Sequence, residues 1–248
     1  FTADKVLFNS KFHFNDFMTA ASRLIKQMPD FRPGWMIEQI RQKTEVVYPG
    51  CRFETGVINL KERDVKAPLI IWNHRWEYDK NPEFFFDALS ALKEKNIPFS
   101  LALLGEKYDI FPDIFKKAKE KFKKEIFVYG YVESRNEYVN WLEKGAIVVS
   151  CAIQENFGIS VVEAVRFGCI PLLPDRLSYP EIMPAEFHSK VLYQTKQDLV
   201  EKLQDMLINY QDYLALQKSL SVKMELFSWE IIVKVYDRSL KKLKKTLR

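Results

Sequence analysis

Two basic and two acidic residues carry the chemistry most readily read from this chain. Arg75 and Lys80 stand five positions apart in NHRWEYDKNPEFF (73–85), and Glu155 and Glu163 stand eight apart in QENFGISVVEAVRFG (154–168), around a Phe-Gly. A guanidinium can fork onto two oxygens while an ammonium acts as a point charge, so the cation pair suits a diphosphate. Surface pairing with Glu77, Asp79 and Glu83 would account for the same charges. Gly158 allows close backbone approach, and the N–H groups of residues 157–160 open a helix whose positive end attracts phosphate. One turn inside that helix, Glu163 could accept hydrogen bonds from a sugar or ribose diol, and Glu155, in the loop, could reach a second sugar. Alternatively both glutamates serve as caps and as ion-pair partners of Arg166 or a lysine. Buried carboxylates are costly unless something bonds them, so either reading calls for partners. In YGYVESRNEY (129–138), Gly130, Tyr131 and Val132 end a strand, where backbone groups can read the edge of a base; an ordinary strand-to-helix turn with an aromatic plug is the alternative.

The elements that must position these residues follow a rhythm. APLIIWN (67–73), FSLALLG (99–105), EIFVYG (125–130), AIVVSC (146–151), IPLLP (170–174) and KVLY (190–193) are strand candidates. Helical patterns stand between most of them: 81–95, with Asn81 as N-cap and Pro82 at the first helical position, then 112–122, 134–144 with a Ser134/Glu137 capping box, and 159–168. Apolar strands alternating with helices predict a doubly wound, Rossmann-like parallel sheet covered on both faces. In such a domain ligands bind at the carboxyl ends of the strands, where all three loops lie.

Both ends depart from that rhythm. KVLFNS (5–10) and EVVYPG (45–50) read as strands flanking a helix over 14–29, whose stripe is Phe17, Met18, Ala21, Leu24, Ile25 and Met28. So small a piece cannot bury its own sheet. A last helix over 229–247 carries Ile232, Val235, Tyr236, Leu240, Leu243 and Leu247 on one face, a stripe that also needs a partner. The expected organisation is a remnant of an N-terminal domain (1–53), a Rossmann-like domain (54–227) and a C-terminal helix (228–248) packing toward the N-terminal domain, most of which is expected to be missing.

Composition narrows the classes. The chain has 248 residues, 47% hydrophobic and 29% charged, ordinary for a soluble globular protein. No apolar run spans a bilayer and no signal peptide opens the chain, so no membrane insertion is expected. Cys51, Cys151 and Cys169 form no CxxC pair, which predicts reduced thiols in a cytoplasmic protein. Three histidines without metal-ligand spacing predict no metal, and the absence of GxGxxG disfavours a nicotinamide or flavin cofactor. Lysine runs at 116–124 and 241–248 are solvated helix faces or contacts to a polyanion such as RNA.

Taken together, the loops resemble the C-terminal, donor-binding domain of retaining GT-B glycosyltransferases, with Glu155 and Glu163 matching an E-x7-E pair around Phe-Gly and Arg75 and Lys80 an Arg-x4-Lys pair. WNHRWEYDKNPEFFF, YGYVES, ENFGISVVEAVRFGCIPLLP and SYPEIMPAEF are similar to segments of the tRNA-queuosine α-mannosyltransferase family. The resemblance implies Glu155 on the donor sugar, Glu163 on the ribose, Arg75 and Lys80 on the leaving diphosphate, and Phe157, Gly158 and Ile159 lining the donor. It implies a nucleotide-sugar donor (GDP- or UDP-hexose, with GDP-mannose favoured), queuosine in tRNA as acceptor, and no cofactor. It also implies that acceptor recognition lies in the missing domain, so this chain alone should transfer little. A non-catalytic nucleotide- or RNA-binding module and a nucleotide-sugar epimerase of the same shape are the competing readings. Replacing Arg75 or Lys80 by Ala is expected to cut transfer without unfolding the protein.

Overall fold

The computed structural model describes residues 2–53, 63–106 and 112–246. It divides into two units: residues 1–52 with 226–248, and residues 53–225.

The larger unit is built on six parallel strands: β3 (Leu69–Trp72), β4 (Ser100–Leu103), β5 (Ile126–Tyr129), β6 (Ile147–Val149), β7 (Ile170–Pro174) and β8 (Leu192–Tyr193), numbered after β1 and β2 of the smaller unit. Their order is β5-β4-β3-β6-β7-β8. The chain starts in the middle of the sheet, runs to one edge, returns past its starting strand, and runs to the other. Ile70, Ile71, Leu101, Leu103, Val148 and Leu172 are all buried, as a sheet covered on both faces demands. Helices α3 (Pro82–Glu94), α4 (Ile114–Lys121), α5 (Arg135–Lys144) and α6 (Ile159–Arg166) make the first four crossovers, and the short α7 (Tyr179–Ile182) lies on the path from β7 to β8. α3 forms because Pro82 is preorganised at its start and Phe85, Phe86, Leu89 and Leu92 recur at helical spacing on its buried face. The fold is the doubly wound, Rossmann-like sheet that the alternation predicts.

Asn81 does not cap α3 with its side chain; it takes the left-handed conformation (φ 55°), which asparagine tolerates. Lys190 and Val191 lie in a helical turn, α8 (His188–Val191), leaving a strand of only Leu192 and Tyr193. Helices α2 (Trp35–Gln42), α9 (Lys196–Ile208) and α10 (Leu214–Lys223) were not anticipated. α10 buries Gln217 and Ser221, which bond the carbonyls of Gly168 (2.6 Å) and Arg166 (2.5 Å), so its inner face lacks an apolar period.

The smaller unit pairs β1 (Val6–Phe8) with β2 (Thr44–Val46) in parallel across α1 (Lys11–Gln27), which starts three residues earlier than expected because Ser10 caps it. Met18 alone of the α1 stripe is buried; Phe17, Leu24 and Met28 are exposed. Helix α11 (Trp229–Thr246) belongs to this unit. Cys51 and Ser228 form a bridge beside it, and Ser239 donates to Glu45 at 2.9 Å. Its expected stripe is corrected: Ile232 is buried, but Ser239 takes the inner position and Leu240 is exposed, while Leu247 lies outside the described residues, as does boundary residue 54. No helix among the described residues is long and apolar enough to cross a membrane.

Candidate functional site

Strand order reverses between β3 and β6, and a doubly wound sheet leaves a crevice at the carboxyl ends of the strands there. The loops leaving those two strands are 73–81 and 150–158, the two that carry Arg75, Lys80, Glu155 and Gly158. The switch point therefore joins segments about 75 residues apart in sequence. The carbonyl of Asp79 accepts the Ile153 N–H at 2.7 Å, and Lys80 Nζ donates to the carbonyl of Gln154 at 2.9 Å.

Lys80 is buried and lies 3.0 Å from Asp79 Oδ2 and 3.5 Å from Glu155 Oε2. Glu155 turns its other oxygen back to accept the N–H groups of Asn156 (3.1 Å) and Phe157 (3.4 Å). Arg75 is half-exposed and forks onto Glu77, with N–O distances of 3.2 and 3.1 Å. His74 beside it is buried and hydrogen-bonded to the Val149 backbone; burial, with Lys80 nearby, holds its pKa down at about 3. Its Nε2 has no hydrogen-bond partner among the described residues.

Gly158 begins α6 at φ 93°, ψ 49°, in left-handed space, and a Cβ there would stand 3.2 Å from the Tyr179 ring. The loop is held from below: Ser178 Oγ donates to the Phe157 carbonyl (3.0 Å), Tyr179 and Ser150 hydroxyls share a 2.6 Å bond, and Tyr193 donates to the Ser150 carbonyl (2.9 Å). The N–H groups of Gly158, Ile159 and Ser160 meet no acceptor among the described residues. The Phe157 N–H, expected to be open, is held by Glu155. Phe157 itself is buried, so it can line the site through backbone alone, whereas the Ile159 side chain is exposed.

Glu163 pairs with Arg135 at 2.8 Å and accepts the Tyr138 hydroxyl at 3.3 Å. Arg166, considered as its partner in sequence, instead salt-bridges Glu225. Beside this cluster opens a cleft of about 360 Å³, formed by the loops after β3 (Asn73–Arg75), β4 (Leu104–Glu106) and β5 (Tyr131–Glu133) with Arg135 and Tyr138 of α5. Tyr131 and Val132 line it as expected; Gly130 (φ 123°) is not part of its wall. Gly105 is needed here, since a Cβ would stand 1.9 Å from the His74 carbonyl oxygen. Arg75 is thus shared between the cleft and the switch point, while Lys80, Glu155 and Gly158 sit on the switch-point side.

Sequence reasoning missed Asn73, Arg135 and Tyr138. The signal available was the i, i+3 spacing of Arg135 and Tyr138 on a predicted helix, which puts both on one face.

Residues 58–220 match the family described as Glycosyl transferases group 1. The chain belongs to that family. Residues 1–51 match tRNA-queuosine alpha-mannosyltransferase N-terminal. The tRNA-queuosine alpha-mannosyltransferase of Drosophila melanogaster is 38% identical over 209 residues, 81% of this chain and 54% of that protein. The group 1 chain described here thus spans about half the length of the curated relative it matches. Among solved structures, sucrose-phosphate synthase from Thermosynechococcus elongatus superposes with TM-score 0.74 at 15% identity, over 99% of this chain and 59% of that one. Anabaena HepE, solved with UDP and glucose, gives TM-score 0.71 at 16% identity, over 97% and 64%. Likeness at that identity shows the fold, and the fold is that of GT-B glycosyltransferases.

Proposed function

We propose that this chain is the donor-binding part of a retaining glycosyltransferase that moves a hexose, mannose from GDP-mannose, onto queuosine in tRNA. The observation that carries the reading is the junction at the switch point, where Lys80 meets Glu155 across two loops whose residues match the family's cation and carboxylate pairs. The name of the Drosophila relative supports the donor sugar and the acceptor.

In this mechanism the bond between the anomeric carbon and the diphosphate breaks, and the acceptor hydroxyl adds on the same face. Its proton passes to the departing phosphate oxygen. Arg75, Lys80 and the open N–H groups of Gly158, Ile159 and Ser160 stabilise the charge that develops on the diphosphate. These groups supply what a metal supplies elsewhere, so the reaction needs no cofactor. Glu155 positions the sugar hydroxyls, Glu163 holds the ribose, and Tyr131 and Val132 flank the base. Charged tRNA fits the lysine runs at 116–124 and 241–248, and a tRNA acceptor places the protein in the cytoplasm.

The test is a donor screen on the full-length protein, with queuosine-containing tRNA as acceptor and mass spectrometry of the nucleoside as readout. Gain of one hexose from GDP-mannose, exceeding that from UDP-sugars, supports the reading. RNA binding with no nucleotide affinity by calorimetry would replace it with a non-catalytic module.

A further inference from the structure

Glu163 is held from a second helix, and the direction of every bond in that hold can be deduced. Asn73 Nδ2 lies 2.7 Å from the Ser160 carbonyl, which can only accept, so the amide nitrogen must face it. The same nitrogen lies 3.0 Å from the Tyr138 hydroxyl and supplies its second proton there. Tyr138 has a single proton, and it goes to Glu163 Oε2 at 3.3 Å. Arg135, the first residue of α5, donates to Glu163 Oε1 at 2.8 Å. The relay fixes the carboxylate plane against three segments: the end of β3, the first turn of α5 and the first turn of α6. A carboxylate offers about four acceptor positions. Arg135 and Tyr138 take two, leaving two for the adjacent hydroxyls of a vicinal diol. At the other end of the relay, the buried Asn73 Oδ1 has no partner among the described residues, and Asn73 lines the cleft.

We propose that Arg135 and Tyr138 are positioning residues that aim Glu163 at the ribose diol, so that the Arg135–Glu163–Tyr138–Asn73 relay makes the cleft selective for ribonucleotides over deoxyribonucleotides. This rests on the reading of Glu163 as the carboxylate that meets the ribose. A salt bridge serving only to join α5 to α6 would weaken all ligands alike when broken. A positioning bond weakens a ligand that carries both ribose hydroxyls more than one that keeps only the 3′-hydroxyl.

The experiment is calorimetry on the full-length protein with GDP and 2′-deoxy-GDP, and with the UDP pair in parallel. A hydrogen bond to a charged group corresponds to about tenfold or more in affinity, so the wild type should prefer GDP over 2′-deoxy-GDP by at least that factor. Glu163→Ala should abolish the preference. Tyr138→Phe, which keeps the ring and its packing, and Arg135→Ala should each reduce it to about threefold or less. The same variants should weaken 2′-deoxy-GDP, which keeps its 3′-hydroxyl, by a smaller factor than they weaken GDP, and Arg135→Lys should restore part of the preference. If both variants weaken the two nucleotides equally, or keep the wild-type ratio while Glu163→Ala loses it, the positioning role is overturned and the reading of Glu163 stands. If Glu163→Ala keeps the preference, or the wild type shows none, that reading fails and this inference with it.

Discussion

Arg75 and Lys80 have the same proposed role but opposite surroundings, so their alanine variants should separate stability from function. Sequence alone predicts that both leave the fold intact. The structure adds that the stability cost differs between them and is larger at Lys80. Its ammonium donates to the Gln154 carbonyl at 2.9 Å and sits 3.0 and 3.5 Å from Asp79 and Glu155, with 10% of the side chain exposed. A hydrogen bond from a charged group contributes about 1.5–3 kcal/mol. Its loss also strands two carboxylates whose side chains are 27% and 19% exposed, so the penalty falls below the roughly 3–5 kcal/mol of a fully buried broken pair. Lys80→Ala should therefore lose about 2–4 kcal/mol, which for a protein of this size lowers Tm by about 5–15 °C. Arg75 is 49% exposed and forks onto a solvated Glu77, a pair worth about 0–1 kcal/mol, so Arg75→Ala should lower Tm by less than about 4 °C. Thermal unfolding followed by circular dichroism at neutral pH, without nucleotide, measures both; transfer is then assayed well below either transition. Lys80→Ala melting within about 2 °C of wild type would refute the reasoning, as would Arg75→Ala falling equally far.

His74 gives a pH dependence with a definite sign. Burial holds its native pKa at about 3, whereas an unfolded histidine takes its proton near pH ~6.5, so the unfolded state binds more protons between those values and stability is lost as pH falls. From pH 7 to pH 5 the loss is about 2 kcal/mol, and urea midpoints should show it in the wild type and not in His74→Gln; equal slopes would contradict it. Gly158→Ala forces a side chain into φ 93° and to 3.2 Å from Tyr179, which should lower stability by about 1–3 kcal/mol and weaken GDP binding; unchanged melting and affinity would show that the turn is not constrained as described.

What was legible in the sequence follows from where each signal is written. β3, β4, β6 and β7 are buried on both faces, so their apolar runs are continuous and local. The loops carrying Arg75, Lys80, Glu155 and Gly158 could be placed because strand ends are visible and ligands gather there. α10 was not visible because Gln217 and Ser221 occupy its buried face, bonded to carbonyls near residue 167 that no local pattern reveals. The pairing of Glu163 was open for the same reason. Its partners lie 28 and 25 residues away on another helix, and only the packing of α5 against α6 chooses Arg135 over Arg166.

Of the two readings of the charged residues, mutual pairing and ligand contact, the structure shows the first, and the first does not exclude the second. Arg75 stands against Glu77, Lys80 against Asp79 and Glu155, and Arg135 against Glu163. Cations gathered close together repel one another, and burying an ammonium as Lys80 does is costly unless a counter-ion accompanies it. The carboxylates satisfy that requirement before any ligand arrives, while leaving lone pairs unfilled on Glu155 and Glu163. A bare phosphate entering such a site must compete with those carboxylates for the same cations and offers them little in return. In the proposed role, a nucleotide sugar would bring phosphate oxygens for Arg75 and Lys80 together with hydroxyl donors for Glu155 and Glu163, so both halves of each ion pair would gain partners at once. On the proposed function, the pairing that stabilises these loops would also act as a filter, favouring a ligand that carries negative charge and diols in one molecule.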